Sequence, residues 1–109
     1  MAEISEQVES SIGLSPKHID ILVDIFREWK NIEKVLLFGS RAKGNNRKSS
    51  DVDLAVIGQD LSARDINRIS DRIYYSNLPF KWDLINIASI RNPNLLDDIY
   101  TFGKAIYIK

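Results

Sequence analysis

Two aspartates one residue apart, Asp51 and Asp53 in "SDVDLAVIG", and a third, Asp83 in "KWDLINI", stand where apolar runs begin. A carboxylate taken out of water is costly unless something pairs with it. In an extended chain Asp51 and Asp53 share a face, with Cα atoms about 6.5–7 Å apart. Like charges so placed repel. Either basic side chains satisfy them, or a cation lies between them. Hard oxygen donors with positions left over suit Mg²⁺ or Mn²⁺, which retain water and share substrate phosphates. With Asp83 on an adjacent strand, the set is suited to two ions about 3.5–4 Å apart, the spacing that clamps an in-line phosphoryl displacement.

The stretch "LLFGSRAKG" supplies the complement. Gly39 lets the backbone approach a phosphate, while the Ser40 hydroxyl and the exposed N–H groups of a following short helix donate to it. Arg41 and Lys43 add positive charge. Two rival motifs fail. "GSRAKGNN" has the spacing of a Walker A loop, but Asn45-Asn46 replaces the required Lys-Ser/Thr. "DVDLAVIG" opens like an EF-hand loop, yet Ala55 falls at the third ligand position.

These residues need elements to position them. Ser15-Pro16 reads as N-cap and first residue of a helix carrying Ile19, Leu22, Val23, Phe26 and Trp29 to about Lys30. "KVLLFG" (34–39) and "DVDLAVIG" (51–58) read as strands, the second apolar on both faces, as in a sheet covered on both sides. Ser62 and Asp65 resemble a capping box for a helix bearing Ile66, Ile69 and Ile73 to about Tyr75. "KWDLINI" (81–87) is a third strand, and Asn92-Pro93 opens a last helix with Gly103 as its stop. "AIYI" (105–108) closes as a strand. The order α-β-(short α)-β-α-β-α-β describes an α/β (α+β) fold, a small mixed sheet of about four strands covered by helices. Residues 1–14 form a polar N-terminal segment, and 15–109 one domain.

Composition narrows the classes. The 109 residues contain no cysteine, which removes disulfides and thiolate metal sites and suits a cytoplasmic home. No apolar run is long enough to span a membrane. Fifteen basic and fifteen acidic residues cancel, so no global field draws the chain to nucleic acid.

The joined motif "GSRAKG-x₅-SDVDL" resembles the signature of the DNA-polymerase-beta-like nucleotidyltransferase superfamily. Within it the chain is similar to the minimal nucleotidyltransferases, from about Ile19 to the C-terminus. "DLINI" fits the third-aspartate strand, and "LLDDIYTFGKAIYIK" fits the closing helix, glycine and strand. The resemblance implies a nucleotidyltransferase fold and transfer of a nucleoside monophosphate, usually AMP from ATP, with release of pyrophosphate. It also implies roles. Ser40 and the Gly39 backbone, with Arg41 beside them, hold the β and γ phosphates. Asp51 and Asp53 ligate metal, and Asp83 completes the metal site and helps deprotonate the attacking hydroxyl. Minimal nucleotidyltransferases resemble the antitoxin half of two-gene modules whose partner is a helical HEPN-domain protein, in some systems adenylylated on tyrosine. A contact-only antitoxin is the alternative reading. Antibiotic-modifying relatives carry a further helical acceptor domain, for which 109 residues leave no room.

The remaining residues have plainer roles. His18 belongs at the surface, Trp29 and Trp82 pack, and Trp82 also lies where it can border the nucleotide. Arg64, Arg68 and Arg72 form a solvated stripe opposite the isoleucines. Tyr74 and Tyr75 pack at a helix end.

Overall fold

The computed structural model describes residues 14–39 and 51–109. Its elements are α1 (Pro16–Phe26), β1 (Ile32–Phe38), β2 (Val52–Gly58), α2 (Ala63–Tyr75), β3 (Trp82–Asn86), a 3₁₀ turn (Ile87–Ser89), α3 (Pro93–Phe102) and β4 (Lys104–Ile108). The strands form one mixed sheet in the order β3-β2-β1-β4. β1 runs antiparallel to both neighbours, while β2 and β3 are parallel and α2 crosses between them. This is the α/β arrangement implied by the sequence. The short helix expected after Ser40 and the segment 1–13 lie outside the described residues.

Local chemistry accounts for most boundaries. The His18 amide donates to Ser15 Oγ at 3.2 Å, with Pro16 in the first turn. Leu14 and Ile19, both buried, occupy the two positions of a hydrophobic staple around this cap. α1 ends at Phe26 instead of running to Lys30. The amides of Glu28, Trp29 and Ile32 reach back three residues, to the carbonyls of Ile25, Phe26 and Trp29, at 3.0–3.2 Å. These tight turns half-bury Trp29 and let β1 start two residues earlier than its apolar run suggests. The capping box is present on α2: the Asp65 amide donates to Ser62 Oγ at 3.1 Å, and the Ser62 amide to Asp65 Oδ2 at 3.0 Å.

Two endings differ from expectation. β3 stops at Asn86, because Asn86 Oδ1 accepts from the Ala88 amide at 3.0 Å and folds Ile87–Ser89 into the 3₁₀ turn. Gly103 ends α3 without entering the left-handed region, at φ −60° and ψ 143°. Its amide donates to the Ile99 carbonyl at 2.8 Å, and a Cβ on Gly103 would lie 2.3 Å from that oxygen. Close approach, not positive φ, requires glycine there.

β1 and β2 bury side chains on both faces, but unequally. On one face Val35, Leu37, Val52, Leu54 and Val56 meet Leu22 and Phe26 of α1 and Ile69 and Ile73 of α2. On the other, Leu36 and Ala55 meet Ile99 of α3, and among the described residues only these three are buried in that cluster.

Candidate active site

The parallel β2–β3 register sets Asp53 directly beside Asp83. The two Cα atoms are therefore about one strand spacing apart, 4.7–4.9 Å. Alternation puts both on the thinly covered face, with Ala55 and Ile85. Asp51 lies immediately before β2, exposed, two residues from Asp53. The site is thus assembled at the ends of strands whose middles are anchored in the core.

β1 completes it from the other side. Phe38 pairs with Asp53, and Gly39 follows with φ +79°. A Cβ on Gly39 would sit 2.5 Å from Asp53 Oδ2. Glycine at this point both adopts a backbone that other residues rarely enter and leaves room for the carboxylate. The structure therefore joins Gly39, Asp51, Asp53 and Asp83 into one constellation. Ser40 and Arg41, the other predicted phosphate contacts, lie outside the described residues.

Among the described residues the electrostatics are those of an acidic cluster. Burial raises the pKa of the half-buried Asp53 above its usual value, and the charges of Asp83 and then Asp51 push it the same way. Among the described residues none of the three aspartates enters a salt bridge. Nor, among those residues, does any group of three acidic, histidine or cysteine side chains close into a metal cage. A cation here would take one or two carboxylate oxygens and draw its other ligands from water or phosphate. That is the habit of Mg²⁺, so the donor set fits.

Beside Asp51 is an open cleft of about 570 Å³. Asp51 forms part of its wall, and Tyr74, Asn77, Leu78, Phe80, Lys81 and Trp82 form the rest. Sequence reasoning missed most of it. Tyr74 and Tyr75 do not pack into the fold: they are 69% and 75% exposed, edge-on to one another with ring centroids 5.3 Å apart. They follow Ile73, the last residue of the buried stripe, so the helical turn carries them off it. The signal for the cleft was Asn77-Leu78-Pro79, a helix exit in which Asn77 takes φ +58° and returns the chain towards Asp83. A second groove, of about 490 Å³ between α2 and β3, is lined by no titratable side chain among the described residues.

Other expectations are refined. His18 is half-buried and sits edge-on to Phe80, with centroids 5.5 Å apart. Arg72 does not simply face solvent: its Nε and Nη2 grip Glu28 at 2.9 and 2.5 Å, linking α2 to the turn after α1.

The fold and acidic strand pair define a nucleotidyltransferase. The Polymerase beta, Nucleotidyltransferase family model matches residues 20–109, and the chain belongs to that family. More narrowly, it is 32% identical over 83 residues to the probable protein adenylyltransferase MntA of Haemophilus influenzae, covering 73% of this chain and 71% of the relative. Among solved structures, a chain of a toxin–antitoxin crystallised with AMP-PNP superposes with a TM-score of 0.68 at 24% identity, over 84% of this chain and 73% of that one. A chain of the Shewanella oneidensis complex of tri-AMPylated HEPN toxin with MNT antitoxin gives 0.64 at 20% identity, over 85% and 71%. These structural likenesses establish the shared fold.

Proposed function

We propose that the chain is a Mg²⁺- or Mn²⁺-dependent adenylyltransferase that moves AMP from ATP to a hydroxyl on a HEPN-domain partner, as the antitoxin of a toxin–antitoxin pair. The observation that carries this reading is Asp53 and Asp83 side by side on one open face, with Asp51 two residues away and Gly39 against the Asp53 carboxylate. The 32% identity to a probable protein adenylyltransferase supports the choice of AMP and of a protein acceptor. Toxin–antitoxin neighbours, one with AMP-PNP and one with an AMPylated HEPN toxin, support the partner. No helix among the described residues is long and apolar enough to cross a membrane. The setting proposed for the reaction is the cytoplasm.

In this scheme Gly39, with Ser40 and Arg41, holds the β and γ phosphates, and Asp51 and Asp53 hold the metal. Bound metal would supply Lewis-acid stabilisation of charge on the phosphoryl oxygens. Asp83 accepts the proton of the incoming hydroxyl. The hydroxyl oxygen bonds to the α-phosphorus, the bond to pyrophosphate breaks, and pyrophosphate leaves past Gly39. Raised proton affinity at Asp53 is the expected cost of keeping such a cluster without its cation.

The test is mass spectrometry of a HEPN-domain partner incubated with the chain, ATP and Mg²⁺. The reading requires a gain of one AMP residue per transfer, lost with Asp83→Asn. Neutralisation of the partner with no mass change would leave a contact-only antitoxin in its place.

A further inference from the structure

The outward face of α2 has no part in the acidic site. Arg64, Arg68, Asp71 and Tyr75 fall at i, i+4, i+7 and i+11, a single stripe along the helix. All four are exposed, on the side of α2 opposite the buried Ile69 and Ile73. Tyr75 is the most exposed of the large hydrophobic side chains among the described residues. Among those residues Arg64, Arg68 and Asp71 enter no salt bridge, whereas Arg72, on the flank of the stripe, is held by Glu28. We propose that the stripe is an interface with a second copy of the chain, in which two α2 helices pack antiparallel about a two-fold axis. The pairing does not depend on the transferase reading.

The order of the residues selects both partner and direction. A two-fold interface must be self-complementary, because the same patch serves both sides. The four positions are symmetric about a point midway between Arg68 and Asp71. An axis there sets Arg68 against Asp71 of the second copy, and Asp71 against its Arg68. The outer pair follows: Arg64 meets Tyr75 of the second copy, again twice. Opposite charges attract at the inner positions, and a guanidinium over a phenol ring adds cation–π attraction at the outer ones. Packed helix axes lie about 8–10 Å apart, within reach of an arginine side chain. A parallel pairing in register would set Arg64, Arg68 and Asp71 each against its own counterpart, like charge on like charge.

The place where the outer arginine arrives is already shaped. A groove of about 270 Å³ lies beside Tyr75, lined also by Glu28, Trp29, Arg68, Asp71 and Arg72. Its two rings and two carboxylates suit a guanidinium. The contact is small, since α2 has 13 residues and is about 20 Å long. It falls below the roughly 800 Å² per partner of a stable complex, so the dimer is weak, of micromolar order. Ile69 and Ile73 face the sheet from the side opposite Asp53 and Asp83, so pairing leaves the acidic site open in both copies.

Sedimentation equilibrium of the full chain tests the interface. Wild type should show a concentration-dependent dimer in low salt that weakens in high salt. Arg68→Asp and Asp71→Arg each place like charges together at both inner positions, and either should raise the dimer Kd at least about tenfold. Both substitutions in one chain exchange the signs, so the double variant should regain wild-type dimerisation. An equimolar mixture of the two single variants should pair as a heterodimer for the same reason. Tyr75→Ala removes both ring contacts and should weaken the dimer about fivefold to thirtyfold. Recovery in neither the double variant nor the mixture overturns the proposal, as does a wild-type chain that stays monomeric at every concentration. So does a dimer indifferent to all three substitutions, which would place the contact elsewhere on the chain.

Discussion

The two faces of the sheet are built to different ends. The face under α1 and α2 is closed by long aliphatic and aromatic side chains, with Leu22, Phe26, Leu37, Leu54, Ile69 and Ile73 essentially inaccessible. The face under α3 buries only Leu36, Ala55 and Ile99 among the described residues, and near its strand ends it carries Asp53 and Asp83. Stability is concentrated on one side of β2 and the proposed chemistry on the other. A strand that alternates can serve both, because each residue along it changes face.

That division can be broken in graded ways. The largest effect is expected from Asp83→Asn on the thin face, which should lower AMP transfer by roughly 10²- to 10⁴-fold through loss of proton transfer alone. Circular dichroism and calorimetric ATP binding should be nearly unchanged, since Asp83 is exposed. Phe26→Ala on the closed face should do the reverse. Urea unfolding should show a loss of about 3–5 kcal/mol, with transfer preserved in the molecules that remain folded.

Gly39→Ala should act on both sides of the division. The left-handed backbone costs an alanine about 1–2 kcal/mol. Its methyl must also push the Asp53 carboxylate aside. Denaturant midpoints should fall modestly, while ATP binding in the presence of Mg²⁺ should fall more than that loss explains.

Asp53→Asn should give a smaller effect of opposite sign. Because the folded state holds the Asp53 proton more tightly than the unfolded chain, its stabilising contribution is present at low pH and is lost as pH rises through the raised value. Without metal, the asparagine variant should therefore melt higher than wild type at pH 7, and the gap should narrow towards pH 4 (about the unperturbed aspartate value). A gap that does not depend on pH would mean that packing, not charge, separates the two proteins. Arg72→Ala should have the least effect. Its pair with Glu28 is exposed, so the change in melting temperature should be small in low salt and vanish in high salt.

The elements were legible because their signals are local. Ser15-Pro16, Ser62 with Asp65, and Asn92-Pro93 mark helix starts by side-chain-to-backbone bonds over two or three residues, and all three are present. The pairing of Asp53 with Asp83 is different, since thirty residues separate them. The sequence joined them only on the expectation that their strands are neighbours, and through the family resemblance; the strand register shows the pairing itself. The apposition of Gly39 and Asp53 was hidden for the same reason, although each residue had been singled out alone. The cleft was the least legible part. Tyr74 reads as one more apolar residue at a helix end, and nothing in its spacing shows that the buried stripe stops at Ile73. Lengths of α1 and β3 were misjudged where three-residue turns and an asparagine cap overrode the apolar pattern.

β2 has one more consequence, for motion. It is a central strand, hydrogen-bonded on both edges, with side chains sealed above and below from Val52 to Val56 apart from Asp53. Amides in such a strand exchange with solvent mainly through opening of the whole domain. Asp53 therefore has no private way of loosening: deuterium should enter residues 53–56 at the rate of global unfolding, whereas the Tyr74–Lys81 connection should exchange orders of magnitude sooner. The proposed catalytic floor is timed by the fold, while the wall of the cleft keeps a clock of its own.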